Sequence, residues 1–289
     1  MTGRGSPSPL GEARPEPAEA GRGEGLAAIV LWGSLAVLAL RLAAVPPFLL
    51  TGMALLIGAL VGGRALAHRP PPPAALALGV YGLFGFHLFL FLALRRAPPV
   101  EANLINYLWP LLIVVLAPLI VPGVGFSARH GFAALLGFAG AALLITAGSA
   151  SAGGGQAIGY AFAAASALIW STYSLMTRRL RHFPTAYVSW FCLLSGALSL
   201  ACHFAFEPRY WPRETEWPFL IALGLGPMGA AFFLWDRALK RGDPRVLGNL
   251  AYLTPLLSTL ALVIFAGAAF TPVSFAAMVL ILAGAWLGR

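Results

Sequence analysis

The chain reads as a train of apolar runs separated by short polar or proline-rich breaks. The runs cover roughly residues 26–42, 46–66, 74–94, 101–121, 130–149, 156–177, 184–205, 217–238, 245–267 and 271–288. Most are close to the ~20 residues that a helix needs to cross a hydrocarbon core. The breaks carry the punctuation that ends helices: Pro46-Pro47, Pro70–Pro73, Pro98-Pro99, Pro122-Gly123, Gly153–Gly155, Pro184, Pro208, Pro212, Asp243-Pro244 and Thr271-Pro272. The pattern predicts an all-α membrane protein of ten transmembrane helices. Residues 1–25 differ, being rich in Gly, Pro, Ala, Glu and Arg. They read as a disordered cytoplasmic tail. The tail is too long and too mixed in charge for the n-region of a signal peptide, so the first apolar run is expected to be a retained helix.

Charge tests this count. Let the N-terminus lie in the cytoplasm and let ten helices alternate. The inside set is then Arg4, Arg14, Arg22, Arg64, Arg69, Arg129, Arg178, Arg179, Arg181, Arg237, Lys240, Arg241, Arg245 and Arg289, which is 14 basic residues. The outside set is Arg41, Arg95, Arg96, Arg209 and Arg213, which is 5. Basic residues favour the cytoplasmic side, so this bias supports both the count and cytoplasmic N- and C-termini.

An internal repeat appears when the chain is shifted by 145 residues. ALRRAPPVEANLINYLWPLLIVVL at 93–116 aligns without a gap on ALKRGDPRVLGNLAYLTPLLSTLA at 238–261. Nine of 24 positions are identical, including Arg96/Arg241, Pro99/Pro244, Tyr107/Tyr252 and Pro110/Pro255. Apolar bias would match leucines by chance but would not place Arg, Pro and Tyr in register. The repeat unit is five helices, so the second copy enters the membrane upside down. The expected organisation is a first repeat over 26–150 and an inverted second repeat over 156–289. Inverted repeats underlie many secondary transporters, whose halves exchange conformations around a midplane site.

Composition narrows the function. The chain is 59% hydrophobic and 10% charged, with mean hydropathy +0.82, whereas soluble domains carry about 25% charge. Net charge is +9, but the basic residues lie singly or in short clusters between apolar runs, so they report topology and not nucleic-acid binding. Cys192 and Cys202 are ~15 Å apart along one helix and read as packing residues. No metal-ligand spacing and no Walker motif are present. No paired carboxylates or nucleophile–base sets lie at membrane depth, so an enzyme is not expected. Neither is a cofactor.

The five-plus-five plan with an ALxRxxP…YLxPL block in each half resembles the drug/metabolite transporter superfamily, EamA type, over residues 26–288. Asn106-Tyr107-Leu108-Trp109-Pro110, Tyr252-Leu253-Thr254-Pro255-Leu256-Leu257-Ser258 and Leu31-Trp32-Gly33-Ser34 resemble its aromatic amino acid exporter (YddG) group. That resemblance implies a bacterial inner-membrane protein exporting aromatic and other neutral amino acids by alternating access. Another small metabolite or a drug is the alternative substrate. The partners implied are an amino acid and membrane lipid; monomer and homodimer both stay open.

Few residues could form the site. His87 lies ~20 Å along its helix, and an ionisable group at that depth is a functional suspect. It either binds a substrate carboxylate or amine, carries a proton, or is satisfied by a neighbouring carbonyl. Trp32, Tyr81, Tyr107, Trp109, Trp170, Tyr173 and Tyr252 fall inside runs and not only at the interfaces where belts gather. They either pack the core or form a cavity able to stack on aromatic rings and hold an ammonium. Asn106, with Asn103 and Asn249, either bridges helices or lines that cavity. Pro110 and Pro255, at equivalent mid-helix positions, are static kinks or hinges. Asp236 and Lys240 are spaced for a helical ion pair.

Overall fold

The computed structural model describes residues 20–97, 99–147, 157–267 and 271–288. Pro98, the Gly153–Gly155 break, Arg289 and most of the expected tail lie outside the described residues. Fifteen α-helices are described, with no strand among the described residues. They are α1 (Arg22–Gly33), α2 (Leu35–Arg41), α3 (Pro47–Ala59), α4 (Pro73–Val80), α5 (Phe86–Leu94), α6 (Pro99–Asn106), α7 (Trp109–Ile120) and α8 (Ala128–Ala147). There follow α9 (Ala157–Arg179), α10 (Val188–Phe206), α11 (Trp217–Leu225), α12 (Ala231–Arg241), α13 (Pro244–Ala251), α14 (Leu253–Ala266) and α15 (Pro272–Leu287). Proline opens α3, α4, α13 and α15, where its missing N–H costs nothing.

Among the described residues, six continuous stretches are long and apolar enough to cross a membrane: Arg22–Arg41, Pro47–Ala67, Pro73–Leu94, Thr185–Phe206, Trp217–Arg241 and Pro244–Phe265. Large apolar side chains face outward along them, with Val30 59%, Leu60 66% and Ile264 71% exposed. A surface of this kind is stable in lipid and not in water. The molecule is a multi-pass membrane protein.

Two expectations need correction. Helix α1 starts at Arg22, inside the stretch read as a tail, because the chain turns at Gly21. That glycine has φ 79°, and its α-carbon lies so close to the Ala238 carbonyl and Gly242 that an added Cβ would sit 2.5 Å from the former. Second, several apolar runs are not continuous α-helices. The first breaks at Ser34, and the second tightens into a 3-10 helix at Leu60–Ala67. Pro110 and Pro255 sit at kinks inside longer helical stretches: they are the second residue of α7 and the third of α14, and Leu108 and Tyr252, just before these helices, keep right-handed helical backbone angles. The chain turns just before them, at Tyr107-Leu108 and at Tyr252. Each proline lacks the N–H that would bond the carbonyl four residues earlier and its ring crowds that carbonyl, which kinks the helix there.

The third and eighth runs each contain a single-turn π-helix, at Tyr81–Gly85 and Gly226–Ala230. These lie 145 residues apart, the same offset as the sequence repeat. The breaks at Tyr107 and Tyr252 obey that offset too. π-bulges are rare and cluster at functional sites.

Glycines let the helices close on each other. Gly58 of α3 lies against the backbone at Met228, Gly229 and Gly224, where an added Cβ would sit 2.5 Å from the Met228 carbonyl. Helices α8 and α15 meet where Gly284 faces the Ala133 carbonyl and Gly137. The main apolar core runs through Ile29, Trp32, Leu55, Leu83, Trp109, Trp170 and Trp235; a smaller one holds Val114, Ala134, Tyr252, Leu256 and Ile281.

Candidate functional site

Helices α1–α3, α5–α7, α9, α11, α12 and α14, with the π-turn at Gly226–Ala230, line a cavity of about 780 Å³. Its inner end is aromatic. Trp32 lies 6.3 Å from Trp109, 5.9 Å from Trp170 and 6.3 Å from Phe232, centroid to centroid. Trp109 and Trp170 are 6.4 Å apart and nearly perpendicular. Phe86 stands 5.3 Å from Trp170. All these spacings are in the range where aromatic rings attract one another. Trp235 lies beneath, 5.3 Å from Trp32, and donates its indole N–H to Ser174 Oγ at 3.1 Å.

The π-bulge supports this floor. A π-turn leaves carbonyls without their usual helical partner, and the Trp32 indole N–H takes one of them, the Pro227 carbonyl, at 3.1 Å. The tryptophan of α1 is thus tied to the second half of the chain.

Polar groups stand on the wall. His87 Nδ1 lies 2.6 Å from the Leu83 carbonyl. A carbonyl can only accept, so Nδ1 carries the proton and Nε2 of the neutral ring is an acceptor. Asn106 is buried, and its Oδ1 accepts from Ser166 Oγ at 2.9 Å, a hydroxyl also 2.8 Å from the Ala163 carbonyl. The amide Nδ2 donors of Asn106 remain for a ligand. Thr51, Asn103, Tyr107, Thr254, Ser258 and Thr259 add polar edges to a mainly apolar lining.

The cavity opens at one end. Its lining passes from Trp170, 4% exposed, to Leu94, 36% exposed, and to exposed Ala39 near the end of α2. The opposite end is tied shut below the tryptophans. Lys240 Nζ contacts Asp236 Oδ2 at 2.6 Å and the Phe183 carbonyl at 2.7 Å. Thr185 Oγ1 donates to Asp236, and Arg178 donates to the Lys240 carbonyl. Glu24 pairs with Arg241 at 2.5 Å, joining α1 to α12.

The EamA-like transporter family model matches the chain twice, over residues 24–146 and 157–288. The chain belongs to the EamA-like transporter family. It is 45% identical over 272 residues to the aromatic amino acid exporter YddG of Ancylobacter novellus, covering 90% of this chain and 94% of that one. A crystal structure 45% identical to it superposes with a TM-score of 0.87, covering 92% of this chain and 94% of the other.

In this EamA-like protein, six of the nine residues singled out from sequence stand on the cavity wall: Trp32, His87, Asn106, Tyr107, Trp109 and Trp170. Three do not. Tyr81 is 42% exposed on the outer face, with its hydroxyl 2.8 Å from Thr172 Oγ1. Tyr173 is packed behind Trp170, against Gly82. Tyr252 is fully buried against Gly137 in the smaller core. Of the two prolines, Pro255 reaches the wall and Pro110 packs against Gly248 outside it. Sequence reading missed Phe86, Phe232 and Thr254. The repeat held the signal for two of them: shifting His87 and Trp109 by 145 residues gives Phe232 and Thr254, and all four line the cavity.

Proposed function

We propose that this protein exports aromatic and other neutral amino acids from the cytoplasm by alternating access. The observation that carries the reading is one cavity with an aromatic floor, a hydrogen-bond acceptor at His87 Nε2 and a donor at Asn106 Nδ2. An amino acid has the matching parts. Its side chain stacks on Trp32, Trp109 and Trp170, its ammonium donates to His87, and its carboxylate accepts from Asn106. The tryptophan faces also attract the ammonium by cation–π contact. The 45% identical relative, an aromatic amino acid exporter, points the same way.

The proposed membrane arrangement is ten spans in two inverted five-helix repeats, 26–150 and 156–289. Besides the six long apolar stretches, α6–α7, α8, α9 and α15 would be the remaining four. The matched π-bulges and matched breaks support a common ancestry of the halves. With both termini in the cytoplasm of a bacterial inner-membrane protein, the open end of the cavity faces outward and the Asp236–Lys240 end faces inward. The structure is then the outward-facing state, from which a substrate is released. Tyr107-Leu108 and Tyr252 are the proposed flexing points, because the proline that follows each removes the N–H that would bond the carbonyl four residues before it.

Equilibrium binding of labelled Phe to the purified protein tests the site. His87→Ala removes a hydrogen bond to a charged group, worth ~1.5–3 kcal/mol. Affinity is expected to fall about tenfold to a hundredfold. Phenethylamine, which lacks the carboxylate, should lose binding in His87→Ala but be indifferent to Asn106→Ala. Equal sensitivity to both substitutions would refute the assignment.

A further inference from the structure

A second pocket, of about 740 Å³, lies at the closed end of the molecule, between the 3-10 helix Leu60–Ala67 and the start of α10. Its origin is local. Gly62 departs from helical geometry at φ −110°, ψ 30°, so the chain veers after α3. Gly62 can do so because it has no side chain: an added Cβ would sit 2.6 Å from both Phe233 and Ser189. Trp190 fixes the bend by donating its indole N–H to the Ala65 carbonyl at 3.2 Å.

The lining divides into two parts. Arg64 and Arg69 make one side cationic, with His68 beside them, and neither arginine has an acidic partner among the described residues. Leu60, 66% exposed, and Val61, 41% exposed, continue from the pocket onto the apolar outer surface. Tyr187 and Trp190 stand between the two, as aromatic residues do at a membrane interface. Concentrated positive charge without a counter-ion calls for an anion, and an apolar exit beside it calls for chains attached to that anion.

We propose that this pocket binds the headgroup of an anionic phospholipid, with its acyl chains lying over Leu60 and Val61. A phosphodiester meets Arg64 and Arg69 in charge-assisted hydrogen bonds, and basic pockets between helices near the cytoplasmic surface suit such headgroups. The site is separate from the cavity described above. It adjoins the inner closure: Pro184 lines the pocket, and its two neighbours supply the Phe183 carbonyl and the Thr185 hydroxyl that meet Lys240 and Asp236. A bound lipid therefore packs against the turn that braces α12.

Native mass spectrometry of the full chain released from micelles tests this with phosphatidylglycerol, phosphatidylcholine and inorganic phosphate as the three probes. One phosphatidylglycerol is expected to stay bound under conditions that strip phosphatidylcholine. Two arginines at about fivefold each predict a preference on the order of 25-fold. Arg64→Gln/Arg69→Gln should abolish the preference, and Arg209→Gln/Arg213→Gln, at the other end, should keep it. Millimolar phosphate should not displace the lipid. Equal retention of the two lipids by the unaltered protein overturns the proposal without reference to any variant. So does an undiminished preference in the Arg64→Gln/Arg69→Gln protein. Displacement by phosphate alone would assign the pocket to a soluble phosphoanion instead.

Discussion

Lys240 gives a sharp test of what holds the inner end together. Its ammonium serves Asp236, the Phe183 carbonyl and, at 3.5 Å, Thr185 Oγ1. The side chains of Lys240 and Asp236 are only 12% and 4% exposed. Lys240→Met keeps the length of the side chain and removes the charge. Asp236 is then a buried carboxylate with only the Thr185 hydroxyl to meet it. Breaking one side of a buried pair costs ~3–5 kcal/mol. At roughly 2–4 °C per kcal/mol for a chain of this size, the melting temperature should drop by on the order of ten degrees. Asp236→Leu combined with Lys240→Met removes both charges, and replacing a buried pair by apolar residues is often near neutral. The double variant should therefore recover most of the loss. Thermal unfolding of all variants in one detergent at one pH gives the cycle. A double variant as unstable as the sum of the singles would refute the reasoning, because it would mean that each residue contributes by packing alone.

Other outcomes follow from the same geometry. Trp170→Ala removes the central ring of the floor and should weaken Phe binding at least tenfold while Leu binding changes less, as competition binding would read out. Gly58→Leu forces a side chain into the Met228 and Gly229 backbone; overpacking of ~1–3 kcal/mol or more should lower the melting temperature, whereas Gly63→Leu, with nothing within 4 Å, should not. Asp243→Ala removes the cap that accepts the Arg245 N–H at 2.8 Å and should cost ~1 kcal/mol. Burial alone would raise the Asp243 carboxyl, but hydrogen bonds from Arg245 and its charge outweigh that and hold it below the usual carboxylate range. A depressed folded pKa stabilises above the unfolded value, about 3.9, and the benefit disappears as pH falls through the folded value. The gap in melting temperature between the unaltered protein and Asp243→Ala should thus stay constant from neutral pH to about 5 and close below about 4.

Much of the fold is written along the chain as position and spacing. Apolar runs, proline breaks and the 145-residue offset locate helices and relate the two halves, because they depend only on length and register. The direction a side chain faces is a different matter. Tyr81 and Trp170 looked equivalent in sequence, yet one faces outward and the other forms the cavity floor. A membrane helix is apolar on both its lipid side and its packed side, so periodicity does not separate them. The π-bulges were equally hidden. Nothing in YGLFG marks a π-turn, and only Pro227 hints at one in GPMGA. His87 was visible as a polar residue at depth, but its role as an acceptor follows from the Leu83 carbonyl, which only the folded helix brings to Nδ1.

The central claim is that the aromatic-floored cavity carries amino acids across the membrane. Counterflow of labelled Phe, Trp, Leu and Lys into proteoliposomes preloaded with unlabelled substrate tests it most directly, for the unaltered protein and for His87→Ala. The account predicts uptake of Phe and Trp above Leu, little Lys, and loss of aromatic uptake in His87→Ala. Uptake of none of the four by a folded protein, or aromatic uptake indifferent to His87, would contradict it.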